Sequence, residues 1–165
     1  MNDLSIIQAV AQDDPRLATT RDWLLDLSTR VPSIQSYNVG AWKSNIDLLV
    51  RRDNGRLHDA QTFLREIAVP YFGKSTPIAW AMINRRGSFH RRHSHGLLGK
   101  CVVFYVTSGD PPIPTIFEVP TDGRIVEHAV SPTPGSLALF NGKLHHYVPV
   151  YNGDEPRITV AMELP

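Results

Sequence analysis

Seven histidines stand in a sequence of 165 residues, and five of them fall in two tight groups: His90, His93 and His95, then His145 and His146. Imidazole is the commonest metal ligand among the side chains and titrates close to neutrality. In an extended strand, residues two apart share a face, so His93 and His95 point the same way and can reach one ion. His146 shares its face with Val148 and Val150, while His145 points elsewhere. Two ligands from one strand and one from a distant strand cap only one side of an ion. Three neighbouring positions stay open for substrate and oxygen, the arrangement associated with non-heme Fe(II). A structural zinc site or a set of surface imidazoles fits the same spacing.

Arg157 follows His146 by eleven positions, with Thr159 two residues further on the same strand face as Ala161. A guanidinium beside a hydroxyl is a good receptor for a carboxylate, because its planar fork donates two parallel hydrogen bonds. Between Arg85 and Lys100 stand Arg85, Arg86, Arg91, Arg92 and Lys100, with no acidic residue. This segment reads either as a sheet edge blunted by charge or as a positive mouth that steers an anionic substrate. Cys101, flanked by Val102 and Val103, reads as a small buried hydrophobe rather than a nucleophile.

These groups need a scaffold to bring them together. Apolar residues at Leu17, Trp23, Leu24 and Leu27 predict a helix over Arg16–Leu27, closed by Pro32. A second helix is expected from Arg56 to Ala68, with Asp53-Asn54-Gly55 turning the chain before it and Pro70 stopping it. After residue 76 the period changes. Strands are expected at Ile78–Asn84, Phe89–His95, Cys101–Thr107, Thr115–Val119, Arg124–Val130, Ser136–Phe140, His145–Val150 and Arg157–Leu164. The 13 prolines and 11 glycines lie mostly in this half, as turn punctuation. The pattern predicts a mainly β fold with N-terminal helices, a sandwich or barrel carrying two helices outside it. One domain is expected over residues 1–165, with a helical layer over about 1–70 and a β core over about 76–165.

The balance of 17 basic against 16 acidic residues leaves a formal charge of +1. That argues against a protein whose main business is coating nucleic acid or an anionic membrane. A single cysteine excludes an internal disulfide framework and a Cys-rich zinc site and fits a reducing cytoplasm. No apolar run approaches the ~20 residues that span a bilayer, and the start at Met1-Asn2-Asp3-Leu4 lacks the pattern of a signal peptide.

From about Gly40 to the C-terminus the sequence resembles the 2-oxoglutarate/Fe(II)-dependent oxygenases with a double-stranded β-helix (jelly roll, cupin-like) core. Gly40-Ala41-Trp42-Lys43-Ser44 stands where that family has a G-x-W-Q-S-like segment, and Trp80-Ala81-Met82-Ile83-Asn84 precedes Gly87. His93-Ser94-His95 matches its H-x-H. Phe104-Tyr105-Val106, Ile116-Phe117-Glu118-Val119-Pro120 and Pro134-Gly135-Ser136-Leu137-Ala138-Leu139-Phe140 follow in order. Pro156-Arg157-Ile158-Thr159-Val160 closes the match. The resemblance implies Fe(II) held by His93 and His146, and 2-oxoglutarate held through its distal carboxylate by Arg157, with Thr159 beside it and Tyr105 assisting. The wider superfamily usually has Asp or Glu where this chain has His95. Strand parity and the H-x-H pattern make His95 the third ligand; the alternative is a site from which His95 swings away. Arg91 and Asn84 are candidate substrate contacts.

The implied activity is oxidation by O2, commonly hydroxylation of a small molecule or a side chain, with release of succinate and CO2. A three-histidine cupin enzyme that does not use 2-oxoglutarate is the alternative within the same fold, but it gives Arg157 and Thr159 no task. A non-catalytic binding module is the alternative outside enzymes. The chain is short for such an oxygenase, which leaves room for a homodimer partner to complete the site.

Overall fold

The computed structural model describes residues 4–8, 10–96 and 99–164; the expectation for Met1–Asp3 lies outside the described residues. In chain order the elements are β1 (Leu4–Ile7), α1 (Arg16–Arg30), β2 (Asn38–Val39), β3 (Trp42–Lys43), α2 (Asp59–Phe72), β4 (Ile78–Asn84) and β5 (Phe89–His93). They continue as β6 (Lys100–Asp110), β7 (Thr115–Thr121), β8 (Arg124–Val130), β9 (Leu137–Asn141), β10 (His145–Val148) and β11 (Glu155–Glu163). The strands form two antiparallel sheets, ordered β1-β9-β6-β11-β4-β3 and β2-β5-β10-β7-β8. This is the expected double-stranded β-helix, with both helices on one outer face.

Strand alternation decides what each face of the larger sheet carries. On β4, β6 and β11 one parity sends Ala79, Ala81, Ile83, Val102, Phe104, Val106, Ile158, Val160 and Met162 against Trp23, Leu24, Leu27, Phe63, Leu64 and Ile67 of the helices. The other parity sends Trp80, Met82, Cys101, Val103, Tyr105 and Ala161 between the sheets, where they meet Phe117, Phe140 and Leu144. Because both faces are covered, these strands read as nearly continuous apolar runs. Arg157, Thr159 and Glu163 share the inward parity with Ala161, so the fold obliges three polar side chains to point into the space between the sheets.

The helices differ from expectation at their ends. Helix α2 starts where the His58 side chain accepts from the Ala60 N–H at 3.1 Å and Gln61 Oε1 accepts from the His58 N–H at 2.6 Å, a reciprocal cap. Pro70 does not stop it. The helix runs on through Phe72, which is buried, and ends at Gly73 with φ of +62°. A proline forfeits one backbone donor, and burial of Phe72 in the following residues offsets that loss. The N-terminal third also supplies three strands beside its helices. β1 pairs along β9, β2 along β5 and β3 along β4.

One irregularity matters for the site. Opposite β10, His146 pairs with His93 and Val148 with His90, so β5 spends three steps where β10 spends two. This is a β-bulge at Arg91 and Arg92. It returns His90 to the inward face beside His93, where strict alternation would separate them, and leaves Arg91 and Arg92 exposed.

Gly135 anchors the other side of the barrel. Its N–H donates to the Tyr105 carbonyl at 2.9 Å and its carbonyl accepts from Ala11 N–H at 2.9 Å. It sits at φ +78°, and a Cβ there would come within 2.6 Å of the Ala11 and Gln12 backbone. Gly135→Ala is therefore expected to cost at least ~2 kcal/mol of unfolding free energy, from the left-handed backbone plus the clash. Denaturant melts check this; an unchanged midpoint contradicts the packing.

Candidate functional site

Three imidazoles converge between the sheets. Ring nitrogens of His93, His95 and His146 all lie within 4.8 Å of one another, and the Nε2 atoms of His95 and His146 are 3.4 Å apart. Each ring is tied down through its other nitrogen. His93 Nδ1 donates to the Arg91 carbonyl at 2.8 Å, His146 Nδ1 donates to the Leu144 carbonyl at 3.2 Å, and His95 Nδ1 lies 2.5 Å from Glu163 Oε2. With Nδ1 of each ring committed elsewhere, the three Nε2 atoms turn inward together, those of His95 and His146 within hydrogen-bond distance of each other. His93 Nε2 is buried and has no hydrogen-bond partner. Three converging imidazole nitrogens are a donor set that fits one divalent transition-metal ion.

Burial keeps the His93 and His146 rings neutral, as a metal ligand requires. Burial, then the neighbouring imidazoles, hold His146 well below the usual histidine range, and burial pushes His93 down to about 4. Aromatic rings fix the geometry. Tyr37 stacks on His93 at 3.4 Å, Trp80 on His95 at 5.5 Å and Phe117 on His146 at 5.3 Å between centroids. His145 faces the other side of β10, paired with Glu118, as its parity requires.

Arg157 lies in the same cavity and is 1% exposed. Its Nε donates to the Ile113 carbonyl at 3.1 Å, Nη2 to Thr115 Oγ1 at 2.8 Å and Nη1 to Asn84 Oδ1 at 3.4 Å. All three acceptors are neutral. Among the described residues no carboxylate pairs with it, and burial lowers its pKa. The cavity between the imidazoles and this guanidinium has a volume of about 30 Å³, with Val103, Thr159 and Ala161 along one wall and Val148 on another.

The structure thus gathers His93, His95, His146, Arg157 and Thr159 around one cavity. The other candidates sit elsewhere. Tyr105 is fully buried and donates to Thr115 Oγ1 at 3.1 Å; it reaches the cavity through Thr115. Asn84 is buried behind Arg157 and donates to Ser88 Oγ at 3.0 Å, so it holds the guanidinium rather than facing open space. Arg91 is exposed on the bulge, away from the cavity lining. The basic segment is partly neutralised, since Arg92 pairs with Glu118 at 2.7 Å and Arg86 with Asp154 at 2.6 Å. Cys101 is buried as expected, and burial with the nearby Glu163 carboxylate pushes its thiol up to about 12.

Apart from His90, which stood in the first histidine cluster without an assigned role, several residues in or beside the cavity carried no recognisable sign in the sequence. Thr115 bridges Arg157 and Tyr105, and Tyr37 comes from the loop before β2. Lys43 is buried with Nζ 3.1 Å from Ser36 Oγ, 4.9 Å from the Tyr37 ring and 5.0 Å from the Trp80 ring. His90 lines the cavity with its Nε2 buried and unpartnered. Glu163 alone had a readable signal, because it lies on the Arg157, Thr159, Ala161 face of β11.

No protein-family model and no curated protein sequence matches the chain. Solved structures match it over nearly its full length. A prolyl-4-hydroxylase from Pseudomonas putida is similar at TM-score 0.67 and 19% identity, over 99% of this chain and 93% of the other. The non-heme α-ketoglutarate-dependent epimerase SnoN of nogalamycin biosynthesis aligns at TM-score 0.74 and 12% identity, over 98% and 77%. HygX from Streptomyces hygroscopicus, solved with nickel and 2-oxoglutarate bound, aligns at TM-score 0.69 and 11% identity, over 98% and 82%. At these identities the shared property is the fold, the jelly roll of 2-oxoglutarate/Fe(II) oxygenases. No helix among the described residues is long and apolar enough to cross a membrane.

The depressed imidazoles set a pH dependence for the metal-free protein. His90, His93 and His146 take up protons in the unfolded chain near pH 6.5 but resist them when folded. Their stability contribution is therefore complete above pH 6.5 and is lost as pH falls from 6.5 toward about 4. The slope is up to about 1.4 kcal/mol per pH unit for each histidine. Denaturant melts across this window should show it, and His146→Phe should flatten it by about a third. A wild-type midpoint independent of pH there contradicts the neutral cluster.

Proposed function

We propose that this chain is an Fe(II)- and 2-oxoglutarate-dependent oxygenase that oxidises a small molecule or an amino-acid side chain. The observation that carries the reading is the pairing of two sites in one cavity. Three imidazole nitrogens converge at one end, and at the other lies a fully buried guanidinium with no anionic partner among the described residues. A dianion with one metal-chelating end and one plain carboxylate end satisfies both. The shared fold with enzymes solved with 2-oxoglutarate supports the same ligand.

In this reading His93, His95 and His146 hold the iron, and their neutral Nε2 atoms leave its remaining positions to the cosubstrate and oxygen. Arg157 takes the distal carboxylate of 2-oxoglutarate, with Thr159 and the Arg157-bound Thr115 as hydroxyl neighbours. Asn84 and the Ile113 carbonyl keep the guanidinium fork aimed. Bound iron, 2-oxoglutarate and O2 supply the oxidising equivalent, with succinate and CO2 as the released products. Val103, Val148 and Ala161 give the path between the two ends an apolar wall. A cupin enzyme working with the three histidines alone leaves the uncompensated Arg157 without a purpose.

Arg157→Leu tests the reading. It removes the carboxylate receptor and touches none of the three imidazoles. The variant should bind Fe(II) within ~3-fold of wild type while losing ~2–5 kcal/mol of 2-oxoglutarate affinity. Anaerobic calorimetry measures both, and succinate release in air should fall in parallel. Unchanged 2-oxoglutarate affinity would mean that the cavity takes another ligand.

A further inference from the structure

His95 is one of the three converging imidazoles, and a carboxylate lies directly behind it. Glu163 Oε2 is 2.5 Å from His95 Nδ1, and both side chains are less than a tenth exposed. We propose that Glu163 is a positioning residue of the metal centre: it accepts the Nδ1 hydrogen of His95 and supplies, one bond network removed from the ion, the carboxylate that the three imidazoles lack. The inference rests on the reading of His93, His95 and His146 as ligands.

Three features of the structure single out this contact. First, it is the one charged acceptor in the set. His93 and His146 use backbone carbonyls, of Arg91 and Leu144, for the same purpose. A carboxylate acceptor fixes the tautomer and raises the basicity of the far nitrogen more than a carbonyl does. Second, Glu163 is itself aimed. It shares the inward parity of β11 with Arg157, its backbone pairs with Cys101 on β6, and the Cys101 thiol donates to Oε2 at 3.6 Å. Third, the His95 ring is clamped. Trp80 stacks on its face, and Phe140 meets it edge-on at 5.7 Å between centroids. A ring held this way and bonded at Nδ1 can offer only Nε2 to the cavity. Without its acceptor, the Nδ1 hydrogen would be buried and unpaired.

Charge gives the arrangement its consequence. Two imidazoles and a carboxylate leave a divalent ion with a net +1, whereas three neutral imidazoles alone leave +2. Glu163 restores the lower value at the level of the whole site while leaving the coordination to nitrogen. His95 and Glu163 then act as one unit, and a carboxylate placed at position 95 should substitute for it.

The test uses the full chain under argon with Co(II) as the metal probe. Wild type should bind one Co(II), and His93→Ala should weaken that binding at least ~10-fold; failure of this arm removes the metal centre itself. Glu163→Gln keeps the shape and should weaken Co(II) binding ~10–100-fold, with little change in the unfolding midpoint of the metal-free protein. His95→Asp in the Glu163→Gln background should recover affinity to within ~3-fold of wild type. With Asp at 95, restoring Glu163 should change it less than ~3-fold, a coupling that a merely structural role for Glu163 does not predict. Glu163→Gln binding within ~2-fold of wild type overturns the proposal, and so does a loss that His95→Asp fails to recover. Should Glu163→Gln not fold, Co(II)-loaded wild type still decides. Its proton NMR spectrum should show three solvent-exchangeable, paramagnetically shifted imidazole N–H signals, and two signals would overturn the assignment.

Discussion

A guanidinium buried between two sheets with only neutral oxygens around it sets the terms for this molecule. Taking an ion out of water costs on the order of several kcal/mol, and a carboxylate partner normally offsets that cost. Arg157 instead has a threonine, an asparagine and one backbone carbonyl. These acceptors fix its direction without cancelling its charge. The inner barrel is therefore left with a standing demand for an anion at one defined place, beside an apolar wall of Val103, Val148 and Ala161.

The opposite end of the cavity carries the complementary constraint. His93, His95 and His146 arrive from two strands and the residues just beyond β5, and each commits Nδ1 elsewhere. Their Nε2 atoms turn inward together, a donor set that one cation can bind. One end needs a positive ion and the other a negative group, and a metal-chelating dicarboxylate meets both at once. The arrangement costs stability in the metal-free protein, as is usual where a site is built before its ligand arrives.

Strand alternation explains why much of this was legible in the sequence. β4 and β8 have the expected bounds, and the Arg157–Thr159 pair reached the interior because period-two parity is strict inside a doubly covered sheet. His93 and His146 reached it from the inner face of the other sheet. β5 ends at His93 rather than at the expected His95, so His95 enters from the residues beyond the strand. What alternation cannot show was missed. The bulge at Arg91 and Arg92 adds one residue to β5, and only that addition brings His90 inward. β2 and β3 are two residues each, too short to leave a periodic trace, yet they bring Tyr37 and Lys43 to the site. Thr115 begins a strand without any feature that marks it. Glu163 was on the page as the next inward position of β11 after Ala161, and parity alone could have placed it.

The central claim is that one cavity takes a metal and a 2-oxoacid together, each completing the other's site. Visible absorption under strict exclusion of oxygen tests it most directly, with Fe(II) alone, 2-oxoglutarate alone and both added to the full chain. A charge-transfer band should appear only when both are present and saturate at one equivalent of each. A spectrum equal to the sum of the separate additions would contradict it.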